Sequence, residues 1–205
     1  VTGMLCALSY GVAVLGRFPL VLFLKYDPKD IIIVLGGLIY GPWTSLTIAL
    51  IVSVAQMFTT SGTGIWGCLM NIISSCSFAC TAVVYKRWRC LRGAVFGLLG
   101  GWLCQTAVMM LWNYLIAPIY MGLPREEVIK LLIPAFLPFN LIKGGLNAAA
   151  AMLLYKPTVT ALRRSGLADV SQKESKTRQN PGVAVFAMFI FLTCALSIMA
   201  LKGII

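Results

Sequence analysis

The sequence predicts an all-α integral membrane protein, built as a six-helix transmembrane bundle with an additional C-terminal transmembrane helix. Hydrophobic residues make up 60% of the 205 residues and charged residues only 11%. A soluble domain averages about 45–50% apolar and about 25% charged residues. The apolar residues form long uncharged runs with basic clusters between them, and the mean hydropathy is +0.90. This composition excludes a cytosolic enzyme and a nucleic-acid-binding domain, because the chain lacks the polar side chains to cover a water-exposed surface.

Seven apolar runs account for the predicted helices. About 20 residues, at roughly 1.5 Å of rise each, cross a hydrocarbon layer about 30 Å thick. The second run is short because Gly41-Pro42 interrupts it. The first six runs lie at residues 2–16, 31–40, 43–60, 65–85, 93–116 and 134–155, and they form a membrane domain over 1–156. A polar, basic linker follows at 157–182, and the last run lies at 183–201, within an additional C-terminal helix over 183–205.

The net charge of +11 is concentrated at residues 86–92 and 156–178. Basic loops of membrane proteins stay in the cytoplasm. The loops at 17–30, 61–64 and 117–133 are therefore predicted to be external, and the N-terminus cytoplasmic. The charge reflects topology rather than nucleic-acid binding.

Residues that support covalent chemistry are scarce. The chain has no histidine, its six acidic residues lie outside the long apolar runs, and its seven cysteines are scattered without a CxxC pair. Histidine is the commonest general base and metal ligand. These features argue against an enzyme and against a metal site. There is also no Walker A motif, so active transport would need energy from a partner.

Lys143 is the most informative residue, since it lies deep within the sixth apolar run, between Asn140 and Asn147. The spacing of these three residues places them on one helix face. The nearest end of the run is roughly nine residues or about 14 Å away, and a charge at that depth costs about 2.5–3.5 kcal/mol or more without a partner or a wet cavity. No acid lies in another predicted span, which favours a polar stripe lining a cavity open to the outside. The alternative is an interhelical hydrogen-bonded cluster that only holds the bundle together.

Further candidates lie near the predicted outer ends of the helices. Asn113 sits among aromatic residues, either as a wet interfacial amide or as a binding group. The external loop mixes apolar, aromatic and charged residues, which predicts either a lid over a pocket or a re-entrant segment that merely packs. The remaining candidate substrate-binding residues are Leu24, Lys25, Tyr26 and Asp27 in that loop, and Trp66 and Asn71 in the fourth run.

Small residues recur along one face of the first helix, at Gly3, Ala7 and Gly11. This spacing lets two membrane helices approach closely. The partner is either another helix of this chain or a second membrane protein.

Four short motifs give the chain a family resemblance over about residues 1–165. They are Lys-Tyr-Asp at 25–27, Tyr-Gly-Pro at 40–42, Gly-Cys-Leu-Met-Asn at 67–71 and Pro-Phe-Asn-Leu-Ile-Lys at 138–143. In order and spacing they resemble the substrate-binding S components of energy-coupling factor (ECF) transporters, and in particular the riboflavin-specific ones. The additional C-terminal helix departs from the six-helix pattern of that family.

The resemblance implies a bacterial plasma-membrane importer subunit with a pocket near the outer face. It implies that Asn113, Asn140 and Lys143 contact the isoalloxazine edge or ribityl chain of riboflavin, with FMN as a further ligand, and that the loop around 24–27 is the lid. The small-residue face of the first helix would dock on a transmembrane coupling subunit (T component) driven by two ABC ATPases. No cofactor is implied beyond the transported ligand.

Two other functions stay open. The chain is either an S component for a different vitamin, such as biotin or thiamine, or a membrane scaffold that transports nothing. Thiamine is disfavoured because Lys143 is itself cationic.

Overall fold

The computed structural model of the protein describes residues 1–21, 24–59, 64–87, 91–122, 124–164, 185, 187–194 and 199. Its elements confirm the all-α prediction. The helices are α1 (Thr2–Leu15), α2 (Lys29–Tyr40), α3 (Pro42–Thr59), α4 (Gly64–Arg87), α5 (Leu91–Met121), α6 (Arg125–Leu131) and α7 (Leu137–Arg164). A π-helical turn (Leu132–Phe136) joins α6 to α7, and a small antiparallel hairpin of β1 (Phe18–Val21) and β2 (Leu24–Tyr26) joins α1 to α2.

The helices have the lengths and surfaces of a membrane bundle. Within the described part of the chain, four segments are long and apolar enough to cross a membrane: Pro42–Thr59, Gly64–Tyr85, Gly93–Ile119 and Arg125–Tyr155. α1 is a shorter apolar helix of 14 residues, and α2 has 12 residues. Large apolar side chains such as Trp43, Phe58 and Leu103 are exposed on the outside, as expected for a surface that faces lipid.

α2 lies at the centre of the bundle. It packs against α1, α3, α4 and α7, and all its residues from Ile32 to Leu38 are buried. A helix that is apolar on every side is one that neighbours surround. A Cβ at Gly37 would lie 2.9 Å from the Cβ atoms of both Ala82 and Ser45, so this glycine lets α2 approach α3 and α4 closely.

The hairpin covers one end of the bundle. Tyr26 of β2 is buried in an apolar cluster with Ala117 of α5, Phe136 of the π-helical turn and Phe139 of α7. The hairpin therefore closes over the ends of α5 and α7, where the sequence analysis predicted an external loop. Nothing in the sequence analysis indicated that part of this loop forms strands.

The sixth membrane helix is longer at both ends than predicted. α6 and the π-helical turn form its beginning, where the sequence analysis placed a loop. At its other end α7 continues to Arg164, past residue 157 where the linker was predicted to start. Val159 and Leu162 are buried, so this last stretch is amphipathic and packs on the bundle. α7 therefore continues past residue 156, where the membrane domain was predicted to end.

The predicted seventh span is described only in part. Residues 187–194 are helical, and a Cβ at Gly145 of α7 would lie 2.9 Å from the Sγ of Cys194. This helical segment therefore packs directly on α7. Residues 165–182 of the predicted linker and the rest of the predicted span, apart from 185 and 199, lie outside the described residues.

Candidate functional site

Three polar residues of α7 lie inside the bundle, as their spacing predicts. Asn140, Lys143 and Asn147 are all buried. The Nζ of Lys143 lies 3.1 Å from the Oδ2 of Asp30 and donates to the Oγ of Ser74 on α4 at 3.2 Å. The inference that Lys143 has no acid in another span is therefore wrong. α2 begins at Lys29 rather than Ile31, which places Asp30 in the first helical turn, where the helix dipole favours an acid.

Asp30 connects three helices. Its carboxylate is completely buried. Oδ1 accepts a hydrogen bond from the Oγ of Ser75, while Oδ2 faces Lys143 and accepts from the Nδ2 of Asn147 at 3.5 Å. Both oxygens are thus satisfied, as a buried carboxylate requires.

Tyr26 joins the hairpin to this group. Its hydroxyl donates to the Oδ1 of Asn147 at 2.7 Å. Burial, together with the nearby carboxylates of Asp30 and Asp27, raises the pKa of Tyr26 well above its usual value. The hydroxyl therefore stays protonated and remains a donor at physiological pH.

A second buried charge pair fixes the segment between the hairpin and α2. The Oδ2 of Asp27 lies 3.6 Å from the Nζ of Lys29 and accepts from the Nε2 of Gln56 on α3 at 2.7 Å. The Nζ of Lys29 also donates to the Oε1 of Gln56. All three side chains are buried. The result is a closed triangle that holds the end of the hairpin segment against α3.

α5 contributes amides with unused acceptors. The Nε2 of Gln105 donates to the Oγ of Ser74 at 3.0 Å, and the Nδ2 of Asn113 donates to the carbonyl of Met109 at 2.8 Å. The Oε1 of Gln105 and the Oδ1 of Asn113 are buried and meet no hydrogen-bond donor in the described structure. Such acceptors need a partner, and a bound ligand or water would supply one.

Asn140 lies next to the π-helical turn. Its Nδ2 donates to the carbonyl of Phe136, the last residue of that turn, at 2.8 Å. π-helical turns inside α-helices frequently occur at functional sites. Pro134 lies within the turn and Pro138 just after it, and a proline has no backbone N–H for the helical hydrogen-bond pattern.

The other predicted site residues are less buried. Lys25 is exposed, Trp66 retains 39% of its accessible surface, and Asn71 is partly buried. Leu24 belongs to β2, but its side chain lies outside the described part of the structure. The structure thus groups Tyr26 and Asp27 with the polar residues of the bundle, and it leaves Lys25 and Trp66 at the surface.

Sequence reasoning missed half of the polar group. The missed residues are Lys29, Asp30, Gln56, Ser74, Ser75 and Gln105. Gln56 and Gln105 are isolated amides within apolar runs, a signal that could have identified them, because a buried amide in a membrane helix needs a polar partner.

Among the described residues, no three acidic or cysteine side chains come close enough to hold a metal ion.

The small-residue face of α1 is open. Gly3 and Ala7 are exposed and Gly11 is partly exposed. A Cβ at Gly3 or Gly11 would meet no described atom within 4 Å. This face is therefore not packed against another described element of the chain.

Fold and site together define a helical integral membrane protein with an enclosed, charge-paired polar site beneath a hairpin. Residues 1–155 match the family of substrate-specific components of ECF transporters, and the chain belongs to this family. It is a transport component and not an enzyme, as the sequence analysis predicts.

The known proteins that are similar to the chain include two curated relatives and a solved structure. The riboflavin transporter RibU of Staphylococcus aureus (strain TCH60) is 25% identical over 149 residues, which span 69% of this chain and 78% of the relative. The riboflavin transporter FmnP of Bacillus subtilis (strain 168) is 30% identical over 144 residues, which span 65% and 75%. The structure reported as that of the S component of a bacterial ECF transporter aligns with a TM-score of 0.69 at 24% identity, covering 80% of this chain and 95% of that one. This last similarity supports the fold.

Proposed function

We propose that this protein captures riboflavin at the outer face of the bacterial plasma membrane and passes it inward with a T component and two ABC ATPases. The observation that carries the proposal is the enclosed polar group around Lys143, Asn147 and Tyr26, which lies beneath the hairpin. The names of the two curated relatives support the choice of riboflavin. FMN, the phosphate ester of riboflavin, is the alternative ligand with the same ring system, and no cofactor is required.

The chemistry of the site suits a flavin. The isoalloxazine ring is flat and apolar on its faces, and its uracil-like edge needs both donors and acceptors. An asparagine side chain offers both, and Asn113 has an acceptor to spare. Phe136, Phe139 and Ile142 provide buried apolar surface beside Tyr26. A few polar groups in an apolar slot are typical of small-molecule sites.

Each predicted site residue has a proposed role. Asn113, Asn140, Lys143 and Asn147 contact the edge of the ring or the ribityl chain. Tyr26 and Asp27 hold the hairpin closed as a lid. Leu24 and Lys25 belong to that lid, and Trp66 and Asn71 lie on the approach to the site.

Coupling to the energy source uses the other side of the molecule. The open face of α1 at Gly3, Ala7 and Gly11 allows close approach of another membrane helix, and we assign it to the T component. The orientation that we propose keeps the N-terminus in the cytoplasm, with the lipid bilayer surrounding the apolar outer surface.

The test is a binding experiment on the full chain in detergent. We expect a flavin absorbance spectrum from co-purified ligand, or saturable quenching of riboflavin fluorescence at sub-micromolar ligand. Biotin and thiamine serve as control ligands and should not compete. A colourless protein that leaves riboflavin fluorescence unchanged would contradict the assignment. Competition by either control vitamin would instead indicate an S component for that vitamin.

A further inference from the structure

Asp30 is a buried charged residue that has no role in the proposed binding site described above. It lies in the first turn of α2, directly after the hairpin segment, and none of its surface is exposed. Its Oδ2 lies 3.1 Å from the Nζ of Lys143. A carboxylate held this close to a lysine in an apolar interior largely cancels that lysine's field.

Four charged side chains are buried among the described residues: Asp27, Lys29, Asp30 and Lys143. They form two acid–lysine pairs, of which Asp27 with Lys29 is closed off by Gln56. The pair of Asp30 and Lys143 lies at the centre of the polar group. The charges of these four buried side chains therefore sum to zero, and within this group Asp30 balances Lys143.

Lys143 nevertheless keeps a donor for a ligand. An ammonium group has three N–H donors. Within the described structure, Ser74 accepts one and Asp30 faces another. One donor is left, and it is enough for a hydrogen bond to a neutral carbonyl or hydroxyl oxygen.

We propose that Asp30 is a specificity-determining residue, which sets the site to accept an uncharged flavin and to reject its phosphate ester. This inference rests on the proposed function, because it takes Lys143 to face the ligand. A phosphate monoester carries about −1.5 to −2 charges at pH 7. Near the paired Asp30 and Lys143 it finds no net positive charge to offset the loss of its hydration, whereas riboflavin has no charge to desolvate.

The test compares riboflavin and FMN binding in variants that change the charge of this pair. Asp30→Asn leaves Lys143 unpaired, Lys143→Gln leaves Asp30 unpaired, and the double variant Asp30→Asn/Lys143→Gln restores neutrality. Each is titrated by flavin fluorescence in detergent, and the quantity measured is the FMN affinity divided by the riboflavin affinity.

We expect this ratio to follow the charge of the pair. It should rise by at least about tenfold in Asp30→Asn, the effect of one unit charge roughly 10 Å from the phosphate at an effective dielectric constant of about 20. It should fall by a similar factor in Lys143→Gln and return close to the wild-type value in the double variant. Because the double variant leaves no unpaired buried charge, it provides the comparison with Lys143→Gln even if Asp30→Asn does not fold.

Two further variants distinguish an effect of the charge of Asp30 from an effect of its structural role in the site. Asp30→Glu keeps the charge and should keep the ratio, even if both affinities drop. Ser75→Ala removes a neutral partner of Asp30 and should weaken both ligands equally. A ratio that stays constant across all the charge variants would overturn the inference, while wild-type protein that binds neither flavin would instead refute the proposed function.

Discussion

The hydroxyl of Tyr26, in the hairpin between the first two helices, donates to the side-chain oxygen of Asn147 on α7 at 2.7 Å. These residues are 121 positions apart in the chain. The bond ties a short hairpin to the polar face of a membrane helix. Because Asn147 also donates to Asp30, the hairpin, α2 and α7 meet at one amide.

Removing this bond should loosen the hairpin. We expect Tyr26→Phe to weaken riboflavin binding by about 0.5–1.5 kcal/mol, the usual net worth of one hydrogen bond, chiefly through faster release. Stopped-flow dissociation of bound riboflavin measures this directly. The control is Tyr10→Phe, since the hydroxyl of Tyr10 bonds to Thr59 at the surface. If both variants release the ligand at the wild-type rate, the hairpin is not a lid.

The polar face of α7 should contribute directly to the affinity for riboflavin. Asn140→Ala or Lys143→Ala should each weaken riboflavin binding by roughly 1–3 kcal/mol, because each leaves buried polar partners unsatisfied. Titration of ligand fluorescence gives the affinities. Thr47→Ala, which removes only an exposed bond to the carbonyl of Trp43, is the matched control. Unchanged affinity in both α7 variants would exclude this face as the site.

The open face of α1 should matter for uptake and not for binding. We expect Ala7→Trp or Gly11→Leu to keep the riboflavin affinity and to abolish uptake, because a bulky side chain prevents close helix approach. Vitamin uptake by cells, measured beside binding by the purified variant, separates the two effects. Leu103→Trp on the exposed side of α5 is the control. Loss of binding in the α1 variants would show that this face packs within the chain.

The triangle of Asp27, Lys29 and Gln56 should support stability. Asp27→Ala leaves the buried ammonium group of Lys29 without its counter-charge, a change that costs about 3–5 kcal/mol. Thermal unfolding of ligand-free protein in detergent should show a clear fall in the melting temperature. Lys25→Ala, at an exposed position only two residues away, should leave that temperature nearly unchanged. Equal melting temperatures for the two variants would argue against a structural role for the triangle.

The membrane helices could be predicted from the sequence because a long apolar run has few alternatives to a span. Lys143 could be predicted to contact polar side chains for a similar reason, since an ammonium group at that depth requires a polar neighbour. The identity of that neighbour could not be predicted. Asp30 directly precedes an apolar run, and only the packing of α2 between α4 and α7 turns this boundary residue into a buried counter-ion.

The hairpin and the helix ends were harder to predict for a different reason. β1 contains Pro19, and its strand pairing with β2 is irregular between Pro19 and Val21, so no regular alternation marks the strands. The extension of α7 to Arg164 depends on burying Val159 and Leu162 against the bundle. Composition alone makes the same stretch resemble a linker, because its basic residues dominate the local average.

The neutrality of the buried charges has a consequence for energetics. Moving one elementary charge across the membrane potential takes about 2.3 kcal/mol per 100 mV. The two aspartates and two lysines buried among the described residues sum to zero, so displacing this group along the membrane normal does no net electrical work. Under the proposed function, an uncharged vitamin would add no electrical work, so the membrane potential would neither favour nor oppose a displacement of this group. This agrees with the proposal that the energy for uptake comes from ATPase partners and not from the membrane potential.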